Sequence, residues 1–273
     1  MRRHRARNPK LVSCAVGLGI ALTPALVLSS PAPAGAAVAA TTTTCYFRLT
    51  STSVTNPPPV TNPNNFKVAR VLVPATKVTD GEYAIAAAYR TGLSSGTTTN
   101  TAVARAWRDM SIPASWSSAD SVRMYFAPTY AGKMHLDSSG APLGSTSTAS
   151  GSVVVRGYVY DATLLRTITS VNAVSSSHSA TDAVDRDYTY SSSASANVAG
   201  PLPLGRKLRL QVDTIVTASV TSVLGGGGRA QVDFGGAAID VPTAYPSGRV
   251  RPYVSTVRAV FTTYGHAVTC PSR

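Results

Sequence analysis

Polar and apolar residues alternate with a period of two over long stretches of this chain, and nowhere is an apolar pattern at i, i+3, i+4, i+7 sustained. The clearest stretch runs from Leu208 to Leu224. Its even positions read Leu, Leu, Val, Thr, Val, Ala, Val, Ser, Leu, while the odd positions begin Arg209, Gln211, Asp213 and stay mostly polar. Such alternation sets one face of a strand on a core and the other in water. Four glycines, Gly225 to Gly228, permit a reversal, and Arg229–Phe234 resumes the alternation. The pattern predicts a long β-hairpin. At about 3.3 Å per residue its first arm would exceed roughly 50 Å, which predicts a bend or a change of sheet midway.

Further strand windows are Cys45–Thr52, Phe66–Val73, Glu82–Arg90, Thr101–Arg108, Ser121–Phe126, Tyr130–Leu136, Ser152–Tyr160, Leu164–Val171, Tyr188–Val198 and Val250–Thr263. Asp137–Gly140, Pro242 and Pro246–Gly248 punctuate them as turns, and the Ser/Thr/Ala-rich residues 144–151 and 170–183 read as loops. The best helical window is a turn or two near Ser117–Val122. About a dozen strands with very little helix predict an all-β protein, an antiparallel β-sandwich of jelly-roll-like kind. A likeness at that level carries no activity.

The ends of the chain change the picture. Arg2, Arg3, Arg5, Arg7 and Lys10 precede an apolar run, Leu11–Leu28, and a small-residue stretch to Ala40. This is the layout of a signal peptide, with cleavage after Ala36, Ala39 or Ala40. A membrane anchor fits less well: the run is close to the minimum of about 18–20 residues and is interrupted by Gly17, Gly19 and Pro24. Cys14 has lipoprotein-box letters before it but lies on the wrong side of the apolar run, and Arg2-Arg3 leaves twin-arginine export open. The chain divides into a cleaved signal peptide (1–40), an N-terminal strand with the proline-rich connector Asn56–Pro63 (41–65), and a β-sandwich domain (66–273), which could be one domain or two subdomains.

Cleavage removes five cations and no acid, so the formal charge falls from +13 to +8. Arginine dominates the remaining cations and Glu82 is the sole glutamate, a composition typical of a high-GC bacterial source. The basic balance suits anionic surfaces such as cell-wall polymers, and equally the plain solubility of an extracellular protein. Nucleic acid is a poor match, because no dense Lys/Arg run or known motif is present. Two cysteines remain, Cys45 and Cys270, one near each end. In an exported chain they predict a disulfide that pins both termini, worth roughly 5 kcal/mol on the chain-entropy model.

Candidate chemistry is sparse. Gly92-Leu93-Ser94-Ser95-Gly96 has the letters of a nucleophile elbow, but that motif needs a helix after it, and Thr101–Arg108 reads as a strand. His135, His178 and His266 show no zinc spacing. Asp182, Asp185 and Asp187, following His178, could hold calcium through oxygen, although the spacing is not that of an EF-hand and Arg186 offsets their charge. Solvated loop acids explain the same residues. Tyr158 and Tyr160 share one face of a strand, as do Tyr188 and Tyr190, and Tyr83 and Tyr89. Tyrosine with arginine is the composition of recognition surfaces, and tyrosine is also a good strand former. Trp107 and Trp116 are open between core packing and sugar stacking.

The sequence reading is a secreted β-sandwich, not an enzyme, that binds an extracellular partner: an anionic glycan or cell-wall polymer, or a secreted protein. One alternative is a membrane-active toxin inserting the Leu208–Phe234 hairpin, whose charges would have to face a lumen. A second is a secreted serine hydrolase built on Ser94. No stable membrane span is expected after cleavage, and no cofactor beyond the possible calcium.

Overall fold

The computed structural model describes residues 38–47, 49, 51–54, 66–72, 80–90, 95–139, 145–234 and 253–270. Residues 1–37 of the signal-peptide region, the proline-rich connector and Ser94 lie outside the described residues. Thirteen strands follow one another: β1 (Ala40–Phe47), β2 (Ser51–Val54), β3 (Phe66–Leu72), β4 (Asp80–Arg90), β5 (Gly96–Ser111), β6 (Ser121–Asp137), β7 (Thr146–Asp161), β8 (Arg166–Thr181), β9 (Asp185–Ser193), β10 (Ala196–Pro201), β11 (Lys207–Val223), β12 (Gly228–Phe234) and β13 (Tyr253–Tyr264). No helix occurs among the described residues. The window Ser117–Val122 is instead a turn, closed by Asp120 N donating to Ser117 O at 3.0 Å, and Val122 already belongs to β6.

The strands form two antiparallel sheets. The five-stranded sheet has the order β2-β5-β11-β7-β8. The eight-stranded sheet is organised around β6. Along Ser121–Phe126, β6 is flanked by β13 and β10; along its far half it is flanked by β12 and β9. β1 extends this sheet beyond β13, and β4 and β3 extend it beyond β12. The arrangement is an antiparallel β-sandwich, as the alternation predicts.

The two sheets press together through complementary side-chain sizes. Met124, Phe126, Met134 and Leu136 of β6 are fully buried or nearly so. Opposite them, β7 carries Gly151 and Gly157. A Cβ at Gly157 would run into the Phe126 ring, and one at Gly151 would lie 2.6 Å from Val232 Cγ2. Elsewhere small faces small: Ala84, Ala86 and Ala88 of β4 and Ala102, Ala104 and Ala106 of β5 have no exposed surface. Close packing of this kind is felt at the level of single methyl groups.

The hairpin expected over Leu208–Phe234 does not form. β11 is a continuous strand of 17 residues at the centre of the five-stranded sheet, between β5 and β7. β12 lies in the other sheet, between β4 and β6. The glycine link is therefore a crossing between sheets, with Leu224 at φ 54° and Gly225 at φ 89° making the corner. Alternation reports only that each strand has one buried face, and a crossing satisfies that as well as a hairpin does. β11 neither bends into a second sheet nor breaks, because sixteen residues of β7 and sixteen of β5 pair with it in register. With the hairpin goes the feature that suggested a pore-forming element.

Two stretches read as loops are strands. β7 begins at Thr146 and β8 continues to Thr181. Most of their serines and threonines occupy the outer face while Ser147, Ala149, Val153, Val155, Val174 and Ala180 are buried, so a hydroxyl-rich strand was mistaken for a loop on composition. Conversely, the window Tyr188–Val198 is two strands, β9 and β10, both on the same side of β6.

The first and last strands meet. β1 pairs with β13 from Ala40↔Tyr264 to Phe47↔Val257, and Cys45 and Cys270 are joined as a disulfide across a sequence separation of 225. Asp120, which is 1% exposed, fastens the same corner. Its Oδ1 accepts from Tyr264 N at 3.0 Å and its Oδ2 from Ser117 N at 2.8 Å, with His266 Nε2 at 2.9 Å. Trp116 lies against His266 with ring centroids 4.7 Å apart, which places it in packing rather than on a recognition surface.

Candidate functional site

Strands β5, β11 and β7 each carry a polar triplet at alternate positions: Arg105-x-Trp107-x-Asp109, Arg209-x-Gln211-x-Asp213 and Arg156-x-Tyr158-x-Tyr160. Period-two geometry places each triplet on one face. The antiparallel register then lines the triplets up into rows. Asp109, Arg209 and Tyr160 form one row; Trp107, Gln211 and Tyr158 the next; Arg105, Asp213 and Arg156 the third. β8 continues these rows with Thr167, Ser170 and Asn172. All of this lies on the outer face of the five-stranded sheet, the side turned away from the core.

Within these rows two of the three arginines are held as forks. Arg105 donates through Nε to Asp213 Oδ1 at 2.9 Å and through Nη2 to Oδ2 at 2.8 Å. Arg209 does the same with Asp109, at 2.7 and 2.9 Å. Bidentate pairing fixes the plane of each guanidinium. Arg209 also stacks: its Cζ lies 4.6 Å from the Trp107 ring centroid and 5.9 Å from that of Tyr160. Gln211 Nε2 donates to Asp213 Oδ1 at 2.8 Å, and Arg156 Nε donates to Asn172 Oδ1 at 2.6 Å. Asp213 is fully buried under these neighbours although it points outwards.

The electrostatics follow from the contacts. The hydrogen bonds from Arg105 to Asp213 and from Arg209 to Asp109 raise both guanidinium pKa values further above their ordinary value. Burial raises the phenol pKa of Tyr158, and the Asp213 carboxylate adds to that rise. Three arginines and two aspartates leave the cluster with an excess of one positive charge, centred on Arg156. The whole is a preorganised surface of ring faces and oriented N–H groups.

The same face changes character along the strands. After a half-buried belt of Val103, Ile215 and Val154, three rows of hydroxyls follow. Thr101 bonds Thr217 at 3.1 Å, Thr99 bonds Ser219 at 2.8 Å, Thr97 bonds Thr221 at 3.0 Å, and Thr148 bonds Thr181 at 3.3 Å. A shallow depression of about 330 Å³ lies here, lined by Ser150, Ser152, Ser177, Ser179 and Thr217.

The residues singled out from sequence are dispersed. Tyr158 and Tyr160 sit in the arginine-rich rows. Tyr188 lies on β9 of the other sheet, where it stacks on His178 with centroids 4.0 Å apart, partly buried against the core. Tyr190 pairs through its backbone with Gly132, and its side chain lies outside the described residues. Asp182 is in the β8–β9 turn at φ 53°. Asp187 accepts from Lys133 Nζ at 3.0 Å and lies 3.0 Å from His135 Nδ1; Asp185 lies 3.6 Å from the same nitrogen. Those two bonds, Lys133 first, hold the Asp187 carboxyl below its ordinary pKa. Among the described residues, no three His, Cys, Asp or Glu side chains are grouped to hold a metal ion. After the Gly92–Gly96 motif, Gly96 opens the 16-residue strand β5 where a nucleophile elbow requires a helix.

Arg105, Asp109, Arg156, Arg209, Gln211 and Asp213 were not singled out as a site from sequence. Their signal was present as alternate polar positions; the register that assembles them was not.

No family model and no curated protein matches the chain. Two solved structures were found, those of infectious bursal disease virus strains Gx and Gt, at 12% and 11% identity and TM-scores of 0.16 and 0.17. Each alignment covers 86% of this chain and 63% or 62% of the viral chain, so the protein spans less than two thirds of their length. Likeness at those TM-scores carries no argument about fold or function.

Proposed function

We propose that the protein is exported and binds an anionic extracellular polysaccharide, such as a cell-wall polymer, on the arginine- and aromatic-rich end of the outer face of the five-stranded sheet, without turning it over. The observation that carries this reading is the Trp107–Arg209–Tyr160 stack bordered by the Arg105–Asp213 fork. Ring faces suit the apolar faces of sugar rings, and guanidinium groups suit carboxylate or phosphate. Because Arg105 and Arg209 are already fixed by Asp213 and Asp109, little of their side-chain freedom is lost on binding. The excess positive charge around Arg156 favours an anionic chain. The disulfide between the termini supports an oxidising compartment.

Sedimentation with purified cell wall and with defined anionic and neutral polysaccharides tests the proposal. Binding should favour the anionic polymers and weaken as salt rises to about 0.5 M, where the Debye length is only a few ångströms. Trp107→Ala and Arg156→Gln should each reduce it. Equal binding by the parent and by the double variant would refute this face as the site.

A further inference from the structure

The β7–β8 hairpin turns over Asp161–Arg166. Asp161 Oδ1 accepts from the N–H groups of Thr163 at 3.1 Å and Leu164 at 3.0 Å, and Ala162 N donates to Lys207 O at 2.8 Å. Lys207 N in turn donates to Thr163 Oγ1 at 3.0 Å. The tip is therefore tied both to its own base and to the start of β11. At its apex stand Leu164 and Leu165, 50% and 74% exposed. Leu165 has φ 51°, the left-handed region that glycine or asparagine occupies with least strain. Leucine is an uncommon occupant of that region. A leucine there adds strain and gains no burial.

The net charge around this apex is positive. Asp161 and Asp109 are engaged with Arg206, at 3.1 Å, and with Arg209. Arg166 and Lys207 are exposed and have no ion pair among the described residues. A second exposed leucine, Leu224 at φ 54°, caps the opposite end of the sandwich, but there the acids Asp137, Asp182 and Asp185 balance Arg90, Arg186 and Arg229. Charge therefore distinguishes the two tips.

We propose that the Asp161–Arg166 tip docks on an anionic lipid surface. Leu164 and Leu165 enter the boundary between headgroups and acyl chains, while Arg166 and Lys207 meet the lipid phosphates. An exposed apolar apex collared by cations is the arrangement that combines interfacial burial with attraction to anionic lipid. This does not rest on the polysaccharide reading, which uses the sheet face and not the tip.

The test uses the full-length chain and vesicles of phosphatidylcholine with and without phosphatidylglycerol. The apolar run Leu11–Leu28 is common to every variant, so tip-specific readouts are needed. Partition should be greater into the anionic vesicles. The double variant Leu164→Asn/Leu165→Asn should lower it on the order of tenfold. Arg166→Gln and Lys207→Gln should each lower it on the order of fivefold. Tryptophan emission of the Leu164→Trp variant should shift to the blue relative to the parent on anionic vesicles only. Because asparagine tolerates the left-handed conformation, Leu165→Asn should leave Tm unchanged or raise it. Equal partition into both vesicle types, an unshifted emission, or undiminished binding by the double variant would each overturn the proposal. So would a dimer in vesicle-free solution that the double variant abolishes, since the tip would then serve self-association.

Discussion

The outer face of the five-stranded sheet has two ends built on the same four strands, and they stabilise themselves in opposite ways. At the Trp107–Arg209–Tyr160 end, long side chains reach across strands, form two bidentate ion pairs and bury Asp213 completely. At the Thr99–Ser219 end, short hydroxyls bond directly across neighbouring strands and stay close to water. The first end is an interlocked network in which one missing member strands another. The second is a row of independent pairs. A β-sheet can thus carry cooperative and additive polar surfaces on one face, depending only on side-chain length and charge.

The sharpest way to break this comparison is Arg105→Ala. It removes the fork from a fully buried carboxylate and leaves Gln211 as its remaining side-chain donor. A buried charge stripped of its partner costs about 3–5 kcal/mol, and because the Arg105 side chain reaches solvent a smaller loss, about 2–3 kcal/mol, is expected in urea unfolding. Next comes a double-mutant cycle on Asp109 and Arg209. Asp109 is far more exposed than Asp213, so a coupling of about 1 kcal/mol or less is expected. A coupling as large as the Arg105 effect would mean the network is tighter than its geometry suggests.

Alkaline titration separates the two ends without mutation, because hydroxyls do not titrate there. Tyr158 has its phenol pKa raised by burial and by Asp213. A group whose folded pKa lies above its unfolded value contributes stability that is complete below the unfolded pKa, about 10 for tyrosine, and is lost as pH rises through the folded value. Stability should therefore decline above about pH 10, less so in Tyr158→Phe, and ultraviolet titration should show one late phenol missing from that variant. The smallest effect is expected at the hydroxyl end: Thr99→Ala or Ser219→Ala should cost no more than about 0.5 kcal/mol, and the pair should be additive with Thr97→Ala.

Particular residues show what the sequence could carry. The buried even positions of β11, from Leu208 to Val220, were legible because alternation is a property of one strand. The Cys45–Cys270 pairing was legible because only two cysteines follow the apolar leader-like segment. The destination of Gly225–Gly228 was not, since a glycine link serves a hairpin and a crossing alike. Ser175–Thr181 was read as loop because serine and threonine signal loops by composition, yet here Ser175, Ser177, Ser179 and Thr181 form the wet face of β8. The site was half legible. Tyr158 and Tyr160 declare themselves as neighbours on one strand, but Arg209 joins them to Trp107 only through a register spanning about a hundred residues of chain, for which no local pattern exists.

The pairing of β1 with β13 and the bond between Cys45 and Cys270 have a mechanical meaning. A stretching force applied at the two ends of the oxidised chain is carried across the disulfide and not along the backbone between the cysteines, which are 225 positions apart. Only the residues before Cys45 and after Cys270 can lengthen. The sandwich would remain folded under tension that unravels an unbridged sheet, and single-molecule traces should show its full extension only after reduction.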